Sequence, residues 1–294
     1  MRTPVLSLLL LSCLSTPVLA QAPKAEIDAS LEDAKGGAVL TLTGKLANVP
    51  EGTKLHVTLS VRGVKADAAF FMTPVLGGVF KARKNFPRRV LAPLSYVLNI
   101  ELWLQAQRKA IGDQIRREWG LPSGSKVVVA SHRLDVGTLE EQNAFRLATI
   151  KKLLEFVTAA RQSHTLISTG LGKPKDPDKK VWLKGVIGLA RTVKKQFGQP
   201  FSTYLAKYVV LHERTAISDI QLSKSALGAA ISNHIDGKDA KVTRSLTQTD
   251  ARLTRVKEEL ESRLPDSEKK EKTGEEGEKQ GSTEGEKKTP KEGK

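Results

Sequence analysis

Over 294 residues the chain carries 48 Lys and Arg against 32 Asp and Glu, a formal net charge of +16, with one cysteine and five histidines. A single cysteine excludes a disulfide framework and a cysteine metal centre, and the length allows two bodies of more than about a hundred residues, each with its own apolar core. Positive charge on this scale favours anionic partners, namely lipid headgroups, envelope polysaccharide, nucleic acid or an acidic protein; plain solubility is its other use.

Arg2, the apolar run of residues 5–11 and the small-residue end Val18, Leu19 and Ala20 follow the order of a secretory signal: charged, apolar, cleavable. Residues 1–20 are therefore expected to be a signal peptide, with the mature chain starting at Gln21 and working in the periplasm or outside the cell. A membrane anchor would need roughly 20 apolar residues, and Ser12, Ser15, Thr16 and Pro17 interrupt this run. Cys13 follows Leu10, Leu11 and Ser12, a run that resembles the bacterial lipobox and so implies lipidation at Cys13 and an envelope lipoprotein as the alternative address.

From residue 24 to 136, short alternating runs are separated by turn residues. The period of two predicts seven strands, at residues 25–31, 38–43, 55–61, 68–72, 75–81, 96–103 and 126–132, with Gly36-Gly37 and Pro50-Glu51-Gly52 as early turns. No helical crossover separates the early strands, which points to an antiparallel sandwich rather than βαβ units. Between 105 and 125, Ile111, Ile115 and Trp119 recur every fourth residue among Arg108, Lys109, Arg116 and Arg117, predicting a short helix inserted before the last strand and ended by Gly120, Pro122 and Gly124.

Leu91-Ala92-Pro93-Leu94-Ser95-Tyr96, followed by Val97 to Leu102, resembles the Leu-x-Pro-Gly-x-Tyr approach to a late strand in bacterial immunoglobulin-like and transthyretin-like domains. Leu94 stands where that motif carries glycine. The resemblance implies a β-sandwich in which the tyrosine hydroxyl bonds back to the preceding corner. It implies no activity, because such sandwiches host many roles.

At residues 138–160 the apolar period changes from two to three or four. Phe145, Leu147, Ile150, Leu153, Leu154 and Val157 recur at helical spacing, while Glu140, Glu141, Arg146, Lys151 and Lys152 fall largely elsewhere on the wheel. A loop rich in Gly, Pro and Lys is expected at 168–180. The helix expected at 180–197 groups Trp182, Val186, Leu189, Ala190, Val193 and Phe197 on one side and Lys180, Lys184, Arg191, Lys194 and Lys195 on an adjacent one, with Gln199-Pro200 breaking it. Phe201, Tyr204, Leu205, Tyr208 and Val209 predict a third helix, and residues 217–235 a fourth. Val242, Leu246, Thr249, Leu253, Val256, Leu260 and Leu264 form a seam for one partner helix, either within the chain or across a homo-oligomer through residues 242–264. Residues 265–294 hold only Lys, Glu, Asp, Gly, Ser, Thr, Gln and Pro, cannot offset chain entropy by burial, and are expected to be disordered. Their net charge is −1, so the +16 resides on residues 21–264.

Motifs of catalysis are incomplete. His56, His132, His164, His212 and His234 are scattered; His212-Glu213-Arg214-Thr215-Ala216 begins like a zinc-protease motif but lacks the second histidine. Ser123-Gly124-Ser125-Lys126 and Lys272-Thr273-Gly274 match fragments of penicillin-binding enzymes outside the helix and edge strand that chemistry needs. Gly170-Leu171-Gly172-Lys173 lacks the first glycine and the Ser/Thr of a phosphate loop. No cofactor, metal or specific nucleic-acid motif is expected.

Two basic clusters remain as candidate anion sites: Lys81, Arg83, Lys84, Arg88 and Arg89 around Phe86-Pro87, and Lys180, Lys184, Arg191, Lys194 and Lys195, preceded by Lys173, Lys175 and Lys179. The chain thus reads as α+β: an immunoglobulin-like antiparallel β-sandwich at 21–136, an α-helical bundle at 137–264 and a disordered tail. The function expected is that of a non-enzymatic envelope binding or scaffold protein whose basic surface engages an anionic polymer, a membrane surface or an acidic protein. A hydrolase with its site between the two halves is the runner-up, and a pocket holding His132, His164 or His212 beside a carboxylate would favour it.

Overall fold

The computed structural model describes residues 25–64, 67–172 and 176–266. The expected signal, Cys13, Lys173, Lys175 and all but the first two residues of the expected tail lie outside them.

Seven strands form one antiparallel sheet: β1 (Glu26–Ala34), β2 (Gly37–Lys45), β3 (Lys54–Val61), β4 (Asp67–Leu76), β5 (Val79–Pro87), β6 (Ser95–Trp103) and β7 (Lys126–Asp135), in the order β1-β2-β5-β4-β3-β6-β7. β4 follows β3 along most of its length but meets β5 only at Val75 and Leu76, so the sheet bends sharply there. Its outer edges approach each other, with the Ala25 N–H donating to the Val129 carbonyl at 2.8 Å, which brings the sheet close to a closed barrel. The alternation read from the sequence fills the interior: Leu40, Leu42, Leu55, Val57, Leu59, Leu98, Ile100 and Leu102 are all fully buried.

One boundary differs from expectation. The apolar run at 75–81 is not one strand but the β4–β5 hairpin, turning at Gly77 (φ 58°) and Gly78 (φ 72°). Two successive left-handed residues are what a tight hairpin matched to strand twist requires, and glycine adopts them without a steric penalty.

Tyr96 opens β6, fully buried, and its hydroxyl donates to the Ala92 carbonyl at 3.0 Å. Burial pushes its phenol well above the usual range. The corner at 91–94 is thereby tied to the strand that follows it.

The inserted helix α1 (Lys109–Trp119) ends at left-handed Gly120 as expected, with Ile115 and Trp119 in the sheet core. After β7, Gly137 (φ 74°) turns the chain into α2 (Leu139–Leu171); a Cβ there would lie 2.8 Å from Glu141 Oε2 and 3.0 Å from Pro93 Cβ. Thr138 and Glu141 close a capping box at the start of α2, each side chain bonding the other's backbone N–H. Helix α2 runs through the expected start of the loop at 168 and ends at Leu171.

Helix α3 (Lys179–Val193) leads through a π-turn at Lys194–Gly198 into α4 (Gln199–Lys207). Gln199-Pro200 was expected to break the helix. Instead Pro200 occupies the first turn of α4, where its missing N–H and fixed φ are tolerated, and the backbone stays helical through Gly198. Tyr208 and Val209, expected in the third helix, leave it. Tyr208 is extended and bridges Val90, the chain bends at Val209, and Val209 and Val210 lie in the sheet core with Leu211 in the helical core. Helices α5 (Arg214–Ile235) and α6 (Asp239–Ser262) complete the chain, and the seam residues Val242, Leu253, Val256, Leu260 and Leu264 are buried against the other helices.

Replacing Tyr96 with Phe should leave the fold intact and lower unfolding free energy by about 1–2 kcal/mol, because a buried carbonyl loses its donor. Urea denaturation of parent and variant at neutral pH measures the difference; equal midpoints would show that the corner does not depend on the hydroxyl.

Candidate functional site

The antiparallel order brings the β1–β2, β3–β4 and β5–β6 connections and the end of β7 to one pole of the sheet, and the helices attach at that pole. Val90, leaving β5, makes the attachment: its N–H donates to Lys207 O at 2.9 Å and its carbonyl accepts from Val209 N at 3.1 Å. Beside this bridge Phe145 of α2 meets Tyr208 edge to face, with ring centroids 5.3 Å apart, and both side chains touch the sheet core and the helical core.

An open cleft of about 1040 Å³ lies beside this junction. Its sheet-side wall is Arg62, Gly63 and Val64. One stripe of α2 supplies Asn143, Arg146, Leu147 and Ile150, at the three- and four-residue spacing that keeps side chains on one helix face. His212 and Glu213 come from the segment before α5, and Arg263 and Pro265 from beyond the end of α6.

Glu213 is buried, and its carboxylate is held by the Arg263 guanidinium and lies 3.1 Å from His212 Nε2. Both His212 ring nitrogens are buried, and the Glu213 carboxylate is the charged group beside them. Burial pushes the Glu213 carboxyl up; His212 and Arg263 together outweigh it and hold the group below its ordinary range. Arg146 is half-buried with its Nε sealed and unpartnered, and neither Arg146 nor Arg62 forms an ion pair with a described residue.

The other four histidines lie apart from this site. His56, on β3, stacks on Trp103 at 4.1 Å, and burial lowers its pKa. His132 is on β7, His164 Nε2 sits 3.1 Å from Leu246 O, and His234 packs against Trp182. The Ser-x-x-Lys match is not on a helix: Ser123 stands in a turn, and Lys126 opens β7 with its Nζ 3.8 Å from the Trp103 ring centroid. Among the described residues no group of three His, Cys, Asp or Glu side chains is placed to hold a metal, and no helix is long and apolar enough to cross a membrane.

The two basic clusters occupy different elements. Lys81 and Arg83 are exposed on β5, while Lys84, opposite Leu40, is half-buried on the inward side. Arg88, in a left-handed turn (φ 60°), and Arg89 are exposed next to Val90 at the junction. On α3 and the π-turn, Lys180, Lys184, Arg191, Lys194 and Lys195 are all exposed, whereas Val186, Val193 and Phe197 are buried. None of these ten cations makes an ion pair with a described residue. Several cations elsewhere are matched, as in Arg255 with Asp219 at 2.7 Å, Lys238 with Asp236 at 2.7 Å and Arg133 with Asp135 at 2.8 Å, while others, Arg62 and Arg146 among them, are not.

Sequence reasoning reached His212 and both basic clusters but not Arg62, Arg146 and Arg263 as neighbours. They are far apart in the chain and carry no local motif; only the β3–β4 connection, the α2 register and the end of α6 bring them together.

Arg263→Gln should cost about 1–3 kcal/mol at pH 7, because a buried carboxylate loses a charged partner. Glu213 has a folded pKa below its unfolded value of 4.5, so its share of stability is complete above that pH and is lost as pH falls through the folded value. Unfolding free energy followed from pH 7 to 3 should fall less steeply in Arg263→Gln than in the parent; identical slopes would remove Glu213 from the account.

No protein-family model and no curated protein matches the chain.

Proposed function

We propose that the chain is an exported, non-enzymatic binding or scaffold protein of the cell envelope, in which an immunoglobulin-like sandwich carries a helical bundle whose basic face engages an anionic polymer. The observation that carries this reading is the cation ridge of α3. At 100° per residue Lys180, Lys184, Arg191 and Lys195 fall within about 60° of one another, on the side away from buried Val186 and Val193, along about 22 Å of helix.

Three features argue against plain solvation of that face. From Lys179 to His212 the sequence has seven Lys and Arg and no Asp or Glu. Lys180–Lys184 and Arg191–Lys195 are like-charged neighbours at i,i+4, each costing a few tenths of a kcal/mol. Lys179 and Lys180 also stand at the positive end of the helix dipole, where a cation is disfavoured, with only the Asp178 cap to compensate. A polyanion lying along the ridge relieves all three.

The sandwich reading draws on the Tyr96–Ala92 corner and on the strand order, in which β1, β2 and β5 lie together and β4, β3, β6 and β7 lie together, with β4 and β5 paired only at Val75 and Leu76.

A second, hydrolytic reading has one observation in its favour: His212 beside buried Glu213 in a cleft between the halves. No Ser, Thr, Cys or Lys is among the described residues lining the cleft, so water would be the nucleophile, and His212, whose ring nitrogens are buried, would have to turn toward the cleft to act as its base.

Retention of the protein on a sulfated or phosphorylated polymer should fall steeply with salt; four neutralised phosphates correspond to a log–log slope of roughly −3 to −4. Changing Lys180, Lys184, Arg191 and Lys195 together to Glu should abolish retention while shifting stability little, since exposed substitutions usually stay within about 0.5 kcal/mol each. Unchanged retention in that variant would remove the ridge from the reading, and retention by anionic vesicles or an acidic protein alone would replace the polymer as partner. Hydrolysis of p-nitrophenyl phosphate or acetate that His212→Gln abolishes would favour the second reading.

A further inference from the structure

The junction cleft has a chemistry of its own, distinct from the ridge. Among its cations Arg263 is already taken by Glu213, leaving Arg62 on the sheet side and Arg146 on α2, with Glu140 in the exposed first turn of α2 as the one other acid in the wall. Arg146 is half-buried without a counter-ion and its Nε is buried with no hydrogen-bond partner, whereas His212 already has the Glu213 carboxylate at 3.1 Å. A buried or half-buried polar group that lacks a partner is costly, and native structures rarely keep several at one place without a ligand or ordered water to meet them. Apart from Asn143 the remaining wall is apolar, with Val64, Leu139, Leu147, Ile150 and Pro265 its larger side chains.

We propose that this cleft is a binding site for a small amphipathic anion, a phosphate or carboxylate head on an apolar body, with Arg146 and Arg62 around the head and Leu147 and Ile150 against the body. The size suits it, since small-molecule clefts run from roughly 300 to 1,000 Å³ and are mostly apolar with a few convergent polar groups. Guanidinium groups suit the head, because their planar donors meet two oxygens of a phosphate or carboxylate at once. The apolar stripe of α2 suits the body and would give an alkyl-bearing anion an advantage over the bare one. The proposal needs occupancy only. It stands apart from the polymer ridge and from hydrolysis.

Titration calorimetry on the full chain with n-octyl phosphate, kept below its micelle concentration, and with inorganic phosphate tests this. Saturable binding of octyl phosphate, at least tenfold tighter than that of inorganic phosphate, is expected; Arg146→Gln and Arg62→Gln should each weaken it about tenfold or more, the effect of losing one charged hydrogen bond. Arg62 is exposed on a turn, so its variant decides the matter even if Arg146→Gln fails to fold. The variant with Glu at 180, 184, 191 and 195 should bind octyl phosphate like the parent while losing the polymer, so that failure of the ridge and failure of the cleft give different results. No saturable binding by the parent, or parent-like affinity in folded Arg62→Gln, would overturn the proposal; equal affinity for the two phosphates would overturn its amphipathic part.

Discussion

Two backbone hydrogen bonds at Val90 set the geometry of the molecule. They add to the covalent link through residues 136–138 and to the packing of Phe145 and Tyr208 on both cores. The chain at 207–211 adds a second tie: Lys207 O accepts from Val90 N–H, Val209 N–H donates to Val90 O, Val209 and Val210 enter the sheet core, and Leu211 enters the helical core. Two ties on different sides of an interface resist rotation far better than one, and backbone hydrogen bonds flanked by buried β-branched side chains are well shielded from water. Arg62 faces Arg146 because this strap and the capped start of α2 fix the pole of the sheet against the helices. The cleft is therefore a product of the junction rather than of either half.

The same segment accounts for much of the electrostatics. His212 and Glu213 follow directly from the strap, and Glu213, paired with Arg263, ties the beginning of α5 to the end of α6. At the far side of that helix pair, Asp219 of α5 receives Arg255 of α6 at 2.7 Å and lies 3.7 Å from Arg252. Carboxylates that are removed from water are thus matched, as their desolvation demands. Where the protein needs charge for its own fold, it neutralises it.

Strands and helices were legible in the sequence wherever burial is one-sided, because a strand then alternates and a helix repeats every three or four residues. That covers six of the seven strands and most of the helical residues. The misreadings share a cause. At 75–81 and at 204–209 the apolar spacing continues across a change of backbone direction, so the pattern alone cannot register the change. The local chemistry does: Gly77-Gly78 permits two left-handed residues, and the β-branched pair Val209-Val210 disfavours continued helix while suiting an extended strap. Pro200 misled in the opposite direction, since a proline ends a helix only when it falls beyond the first turn. The basic clusters were visible because charge runs are local. The cleft was not, because Arg62, Arg146 and His212 meet only through the strap.

The contrast between paired and unpaired cations bears on what the charge is for. A protein that needs only solubility can intersperse signs, as α6 does with Lys257 and Glu261 or Arg263 and Glu259, gaining a few tenths of a kcal/mol per pair. Helix α3 is the same kind of surface helix under the same constraints, yet its outer face accumulates like charge from its first turn onward with no acid in the stretch. Packing does not require this: the residues that hold α3 against α2 and α5 are Val186, Leu189, Val193 and their apolar neighbours, and any polar side chain would serve on the other side. The ridge therefore adds a small, repeated electrostatic cost that the isolated fold does not recover. A partner that supplies the missing negative charge recovers it, and a linear one can reach all four positions at once.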